Sequence, residues 1–410
     1  MMPPVTARVG IFGSFGRRSA VITVPQLPFE RAHPVQLAAE LRELQAAGAI
    51  HRVRTEVGDP AWLVTSHAEV QRLYDDDRLG LAHPHPETAA RMHESTMFGR
   101  ATPNFATEQS DHARKRDLLK PHFTPKRLGD LRPRVDALTA GLLDELRANG
   151  SPADLRTAVA LPLPILVICE LLGVPHEDRE KFCGWTADVS NTGDRARSET
   201  GWRRVFGYCQ QLVATKRREP GDDVISRVCA TEGVSDDEAA HLSTGLLLAG
   251  YESVVSQIGL GALVLLAHPE QWRALAHNAT LASNAVEETL RAARGAGVFP
   301  RYARTDLEID GVTVQAGDLV LLSTGAANHD PTVFADPDRV DITRRAAGHL
   351  TFGHGARYCI GAPLARIELQ AVFSQLASRF PTMRLAVGVE QLRLRTDMLF
   401  GGLVELPVRW

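Results

Sequence analysis

The run His349–Arg366, HLTFGHGARYCIGAPLAR, sets a single cysteine between a glycine-rich turn and the start of a helix. Gly353 and Gly355 can adopt backbone angles closed to other residues and let the main chain approach a flat ligand closely. Beyond Cys359, Gly361 and Pro363 open a segment in which Ala365, Leu369, Val372, Leu376 and Phe380 recur at helical spacing. The sulfur is therefore expected at a helix N-terminus, where backbone N–H groups and the dipole favour an anion and lower the thiol pKa. A thiolate is what a soft metal or a haem iron requires. Two further readings stay open on this run alone: burial as a small hydrophobe, and a nucleophile served by His354.

Working outward, the chain has 410 residues, 44% hydrophobic and 23% charged, which suits a globular protein with a large core. No Pro/Ser-rich linker, low-complexity tract or repeat marks a boundary, so one domain covering 1–410 is expected. A net charge of -3 gives no reason to expect nucleic acid or an anionic membrane surface as partner. The opening MMPPVTARVGIFGSFGRRSAV lacks a continuous apolar core, and no uncharged apolar run reaches the roughly 18 residues of a spanning helix, so a cytoplasmic protein without an anchor is expected. Cys169, Cys183, Cys209, Cys229 and Cys359 form no CxxC pair and are odd in number, which points to neither a disulfide framework nor a zinc site.

From about residue 110 to 300 apolar residues recur at three and four positions, the mark of helices. Strand-like segments lie toward the ends: HRVRTEV, AWLVTS, DLEIDGVTVQAGDLVLLS and GGLVELPVRW. The expected class is mainly α with small β-sheets, an α+β arrangement. The longest helix is predicted to begin at a capping box, Ser235 with Glu238, and to stop at His268 before Pro269. Some 33 residues at about 1.5 Å each span roughly 50 Å, enough to cross the domain.

Within that helix, LLLAGYES places a glycine, an acid and an alcohol in an apolar stretch. Ser253 could simply bond back to the carbonyl of Ala249, and Glu252 could face solvent. Gly250, however, costs roughly 1 kcal/mol against alanine in a helix interior, which implies a distortion or a close approach to a ligand. In AVEETLRAAR, Glu288 and Arg291 have the spacing of a helical ion pair. In DHARKRDLLKPHFTP, His112 and Arg116 lie four apart and share a helical face, among basic residues that otherwise read as a solvated surface.

FGHGARYCIG resembles the haem-binding signature of the cytochromes P450, with Phe352, Gly353, Gly355, Arg357, Cys359 and Gly361 at every fixed position and Ala365 at the small residue that follows. Further family motifs follow in order from about residue 60 to the end. The resemblance implies a haem domain with haem b held between the long central helix and the cysteine loop, and Cys359 as axial ligand. LLLAGYES is similar to the oxygen-activation motif: Ala249 and Gly250 form the groove, and Glu252 and Ser253 route protons toward dioxygen, with serine where threonine is usual. Glu288 and Arg291 then belong to a buried support that Arg339 completes. His112, Arg116, Arg301 and Arg357 are implied to meet the haem propionates. Arg114 and Lys115 are left to solvent or to an acidic redox partner.

The resemblance also implies a soluble monooxygenase that takes electrons from NAD(P)H through a ferredoxin reductase and a ferredoxin, and that works as a monomer. Hydroxylation or epoxidation of a mainly apolar secondary metabolite, such as a polyketide, terpenoid or alkaloid, is the expected reaction. By family analogy the pocket is lined by Met92, Met97, Phe98, the stretch from Thr244 to Leu248, Val298, Phe299, Leu399 and Phe400. Serine at 253 leaves room for an atypical oxidation: rearrangement, desaturation or coupling. A haem-binding sensor and a cysteine hydrolase without haem compete with the monooxygenase reading, and the hydrolase would leave the ordered helix motifs unexplained.

Overall fold

The computed structural model describes residues 24–31, 33–293 and 297–410, so the reading of the first 21 residues lies outside the described residues. The helices are α1 (Ala39–Ala47), α2 (His67–Tyr74), α3 (Glu108–Leu119), α4 (Pro125–Asn149), α5 (Pro162–Leu172), α6 (Arg179–Val189), α7 (Arg195–Arg218), α8 (Val224–Ala230), α9 (Asp236–Leu266), α10 (Pro269–His277), α11 (Ala282–Ala292), α12 (Thr324–Ala327) and α13 (Ala362–Arg379). The strands are β1 (Ile50–Arg54), β2 (Pro60–Val64), β3 (Leu79–Gly80), β4 (Ala153–Asp154), β5 (Val298–Ala303), β6 (Leu307–Ile309), β7 (Val312–Val314), β8 (Leu319–Ser323), β9 (Arg384–Leu385) and β10 (Pro407–Arg409). The expected class, helices with small sheets, is what forms.

The largest sheet runs β1-β2-β8-β5-β3. β2 lies parallel to β8, with Trp62 opposite Val320, and β5 lies antiparallel to it, with Arg301 opposite the same Val320. That register puts a charged side chain at the centre of the sheet, where Arg301 is buried. β5 escaped the sequence reading because Pro300 sits mid-strand, and a proline ordinarily demotes a run from strand status.

α9 is the core helix. It packs against α5, α7, α11 and α13, and is buried along most of its circumference, each fully buried Leu or Ile stabilising by roughly 1.5–3 kcal/mol. Although long and apolar enough to span a bilayer, it has 78% of its most apolar stretch buried inside the protein. Only half of the expected capping box forms. The Ser235 hydroxyl accepts from the Glu238 N–H at 3.1 Å, while the Glu238 carboxylate turns to Arg114, which donates to it at 2.6 and 2.8 Å. Arg114 is exposed, as expected of a solvated face, but is also tied to α9, and Lys115 is exposed beside it. The helix ends at Leu266, two residues earlier than expected, and His268 leads into α10.

Candidate active site

The cysteine loop is built on backbone bonds: the Cys359 N–H donates to the Phe352 carbonyl at 2.9 Å, and Gly353 and Gly355 take φ of +72° and +65°. The positive φ was expected, but its structural neighbour is protein. A Cβ on Gly355 would lie 2.0 Å from Asp75 Oδ1, so the glycine admits the end of α2 against the loop. The N–H groups of Gly361 and Ala362 donate to the Cys359 sulfur at the start of α13. Burial nonetheless pushes the thiol pKa up, and those N–H groups with Arg116 and Arg366 only partly offset it, which corrects the expectation of a lowered value. The residue keeps accessible surface while densely surrounded by protein, as in a concave site. Ile360, next in the chain, packs against the cluster containing Leu247, Leu248 and Val255 of α9.

Opposite features lie on α9. Gly245, Ala249 and Ser253, four residues apart, form an open stripe on a helix otherwise buried. The Ser253 hydroxyl donates to the Ala249 carbonyl at 2.7 Å. Glu252 does not face solvent: it is 5% exposed, and its Oε2 lies 3.6 Å from Nη1 of Arg395. Burial raises the Glu252 pKa, against the pull of Arg395 and Arg156. Gly250 meets a protein neighbour instead of a ligand, since a Cβ there would lie 2.8 Å from Ile168 Cδ1 of α5.

The cations converge. Arg116 donates to the Tyr358 carbonyl at 2.9 Å, immediately before the cysteine. His112 is pushed down to about 4 by burial and then by Arg357 and Arg116, and Arg301 is lowered by burial, with Arg357 adding to it. The sequence reading missed the acid among them. Glu108 is buried, accepts from the Leu81 and Ala82 N–H groups at 2.7 and 3.1 Å, and pairs with Arg357 at 2.6 Å and Arg304 at 3.2 Å. Its signal was present: 108, 112 and 116 share one helical face.

Behind the loop, Glu288 and Arg291 form a two-pronged pair at 2.8 Å with both side chains fully buried. Arg291 also donates to the carbonyls of Asn328 and Pro337, and Asn328 in turn accepts from the Leu350 N–H and donates to Thr351, two and one residues before Phe352. The third arginine is corrected: Arg339 points to Asp341 at the surface and lends only its carbonyl, while Arg344 approaches Glu288 at 3.5 Å. A second support, also unread from sequence, joins Glu287 to Arg366 and His349, and Arg366 to the Tyr358 hydroxyl and the face of Phe352. Burial pushes the Glu287 carboxyl up, but Arg366 and His349 outweigh it and bring the value to about 2. Ala365 packs into the core beside this support.

Of the pocket residues read from sequence, Met92, Val298 and Leu399 line a cavity of about 720 Å³ together with Glu30, Glu56, His93 and Arg395. Met97 and the buried Leu248 pack in the cluster under α7 and α9. Phe98 stands edge-on to Phe299 at 6.1 Å, and the Phe400 carbonyl accepts from Ser256. A cleft of about 610 Å³ beside His354 is lined mainly by polar residues, including Asp75, Asp76 and Asp77.

The donor set fits a haem. A soft sulfur has two N–H partners, a stripe of small residues lies open on α9, against whose cluster the next residue Ile360 packs, and an excess of cations over one carboxylate suits two propionates. Residues 197–391 match the family model described as Cytochrome P450. The chain is 41% identical over 394 residues to pentalenolactone synthase of Streptomyces exfoliatus, covering 94% of this chain and 99% of that one. The chain belongs to the cytochrome P450 family. It is 38% identical to the mycinamicin IV hydroxylase/epoxidase of Micromonospora griseorubida, over 93% and 98% of the two chains. A solved P450, the substrate-free epoxidase of the polyene macrolide antibiotic pimaricin, superposes with a TM-score of 0.86 at 42% identity, covering 94% of this chain and 99% of that one. As a P450 the chain is a haem-thiolate monooxygenase that acts on a small molecule with the help of redox partners.

Proposed function

We propose that residues 1–410 act as one haem domain that hydroxylates or epoxidises a mainly apolar secondary metabolite of the polyketide, terpenoid or alkaloid kind. The names of the relatives, a pentalenolactone synthase and a mycinamicin hydroxylase/epoxidase, support that substrate class. Cys359 would hold the iron of haem b, with Phe352, Gly353, Gly361 and Ala365 shaping its loop. His112, Arg116, Arg301 and Arg357 would hold the propionates, and Ala249, on the open stripe of α9, would border the haem. The haem, when bound, supplies reductive activation of dioxygen. Glu252 carries protons from the protein side and Ser253 orients them over the stripe, while the cavity at Met92, Val298 and Leu399 holds the substrate away from bulk water. Glu288 and Arg291 keep the proximal loop in register. Electrons come from NAD(P)H through a ferredoxin reductase and a ferredoxin that docks beside Lys115, and the enzyme works as a cytoplasmic monomer.

The observation that carries this reading is the Cys359 sulfur, with the Gly361 and Ala362 N–H groups as partners and Arg116 bonded to the carbonyl just before it. The test is titration of candidate metabolites into the ferric holoenzyme, beginning with mycinamicin IV, while following the loss of axial water by absorption. Product analysis with NADH, a surrogate ferredoxin and its reductase then reads the chemistry. An oxygenated product supports the reading; NADH consumption without any oxygenated product contradicts it.

A further inference from the structure

The geometry points to Arg395 as the positioning residue of Glu252, linking the wall of the substrate cavity to the acid of α9. The proposal rests on the reading of Glu252 as proton carrier. Arg395 follows the short helical turn Val389–Gln391 and is held by its own N–H, which donates to the Gly402 carbonyl at 2.8 Å. The turn it begins is docked onto α9 by the Ser256 hydroxyl, which donates to the Phe400 carbonyl at 2.8 Å. From that base the guanidinium reaches Glu252 Oε2 at 3.6 Å, with both side chains largely buried, and the same arginine lines the 720 Å³ cavity.

A carboxyl buried on α9 with no cation beside it would stay protonated and could not turn over as a relay. One held too firmly would stay ionised and give up nothing. Arg395 at 3.6 Å, together with Arg156 from the π-helical turn Arg156–Ala160, opposes the upward pull of burial on the Glu252 carboxyl. Arg156 is itself shared with Asp154, so Arg395 is the stronger partner. Among the described residues Tyr251 also interacts with Glu252, and its hydroxyl is turned to Cys183 of α6 at 3.3 Å. In the relay only O–H bonds change at the carboxyl: it hands a proton toward Ser253 and regains one from solvent, and no electron moves in this step.

The test follows the carboxyl C=O stretch of Glu252 by infrared difference spectroscopy of the holoenzyme across pH, with the band assigned by its loss in Glu252→Gln. Arg395→Gln should raise the midpoint by about one pH unit or more, the effect of removing an opposite charge at this range, and Arg395→Lys should restore it. A residue that only lines the cavity would alter ligand affinity and leave the midpoint where it was. A midpoint unmoved in both variants, with the thiolate-type carbon monoxide spectrum intact, overturns the proposal; loss of that spectrum in the wild type counts instead against the reading of Cys359.

Discussion

The two sides of the proposed haem site are built differently. On the proximal side, Cys359 is clamped by backbone N–H groups and by two ion-pair networks, the fully buried Glu288–Arg291 and the half-buried Glu287–Arg366, which join the loop to α11 and α13. On the distal side, the acid and the alcohol rest on a single helix. Glu252 has an arginine at 3.6 Å, and Ser253 bonds its own backbone. The contrast teaches where rigidity is needed: a metal–sulfur bond demands a fixed ligand, whereas groups that pass protons must be able to let go of their partners.

If that contrast is right, substitutions on the two sides should fail in different ways. Arg291→Leu should have the largest effect, because it strips the buried Glu288 carboxylate of its two-pronged partner and leaves it only Arg344 at 3.5 Å. A loss of about 3–5 kcal/mol is expected, read by chemical denaturation, together with poor haem retention. Glu252→Gln should leave folding and the carbon monoxide spectrum intact yet lower product formation by about a hundredfold, as removal of a proton-transfer group does. The result is read as product against hydrogen peroxide released. Glu108→Gln belongs to the proximal pattern, with about 1–3 kcal/mol of destabilisation from two backbone N–H groups and two arginines left poorly matched, read by thermal melting and haem loss to apomyoglobin.

Acid should reveal the same asymmetry. Glu287 has its carboxyl held down to about 2, below the ordinary value, so its contribution is fully present above the unfolded pKa and is lost as pH falls through about 4 toward 2. The thiolate spectrum should fade over that window, and Glu287→Gln should flatten the dependence. Ser253→Ala should have the smallest effect, a loss of less than about tenfold in coupling, since the hydroxyl already spends its hydrogen on the Ala249 carbonyl. A loss as large as that of Glu252→Gln would erase the distinction between the two distal groups.

The sequence was most legible where chemistry demands particular residue types at adjacent positions. The run from Phe352 to Ala365 announced a ligand loop and the helix behind it, and Ser235 marked the start of α9 to the residue. It was least legible where partners come from distant segments. Glu108 reaches Arg357 across 249 positions and Arg395 reaches Glu252 across 143, and no local spacing advertises either pair. The choice between Arg339 and Arg344 turned on which side chain points inward, which neighbouring residues of one irregular segment do not reveal. Gly250 and Gly355 were recognised as sites of close approach, but the approaching atoms belong to Ile168 and Asp75, and a missing side chain does not say what fills its place.

The most direct measurement is the absorption spectrum of the reduced protein under carbon monoxide, recorded for the wild type and for Cys359→Ser. The wild type should show the strongly red-shifted Soret band of thiolate-ligated iron, and the variant should lose it while keeping its helical circular dichroism. A wild type without that band after reconstitution with haem, or a variant that retains it, would contradict the assignment of Cys359.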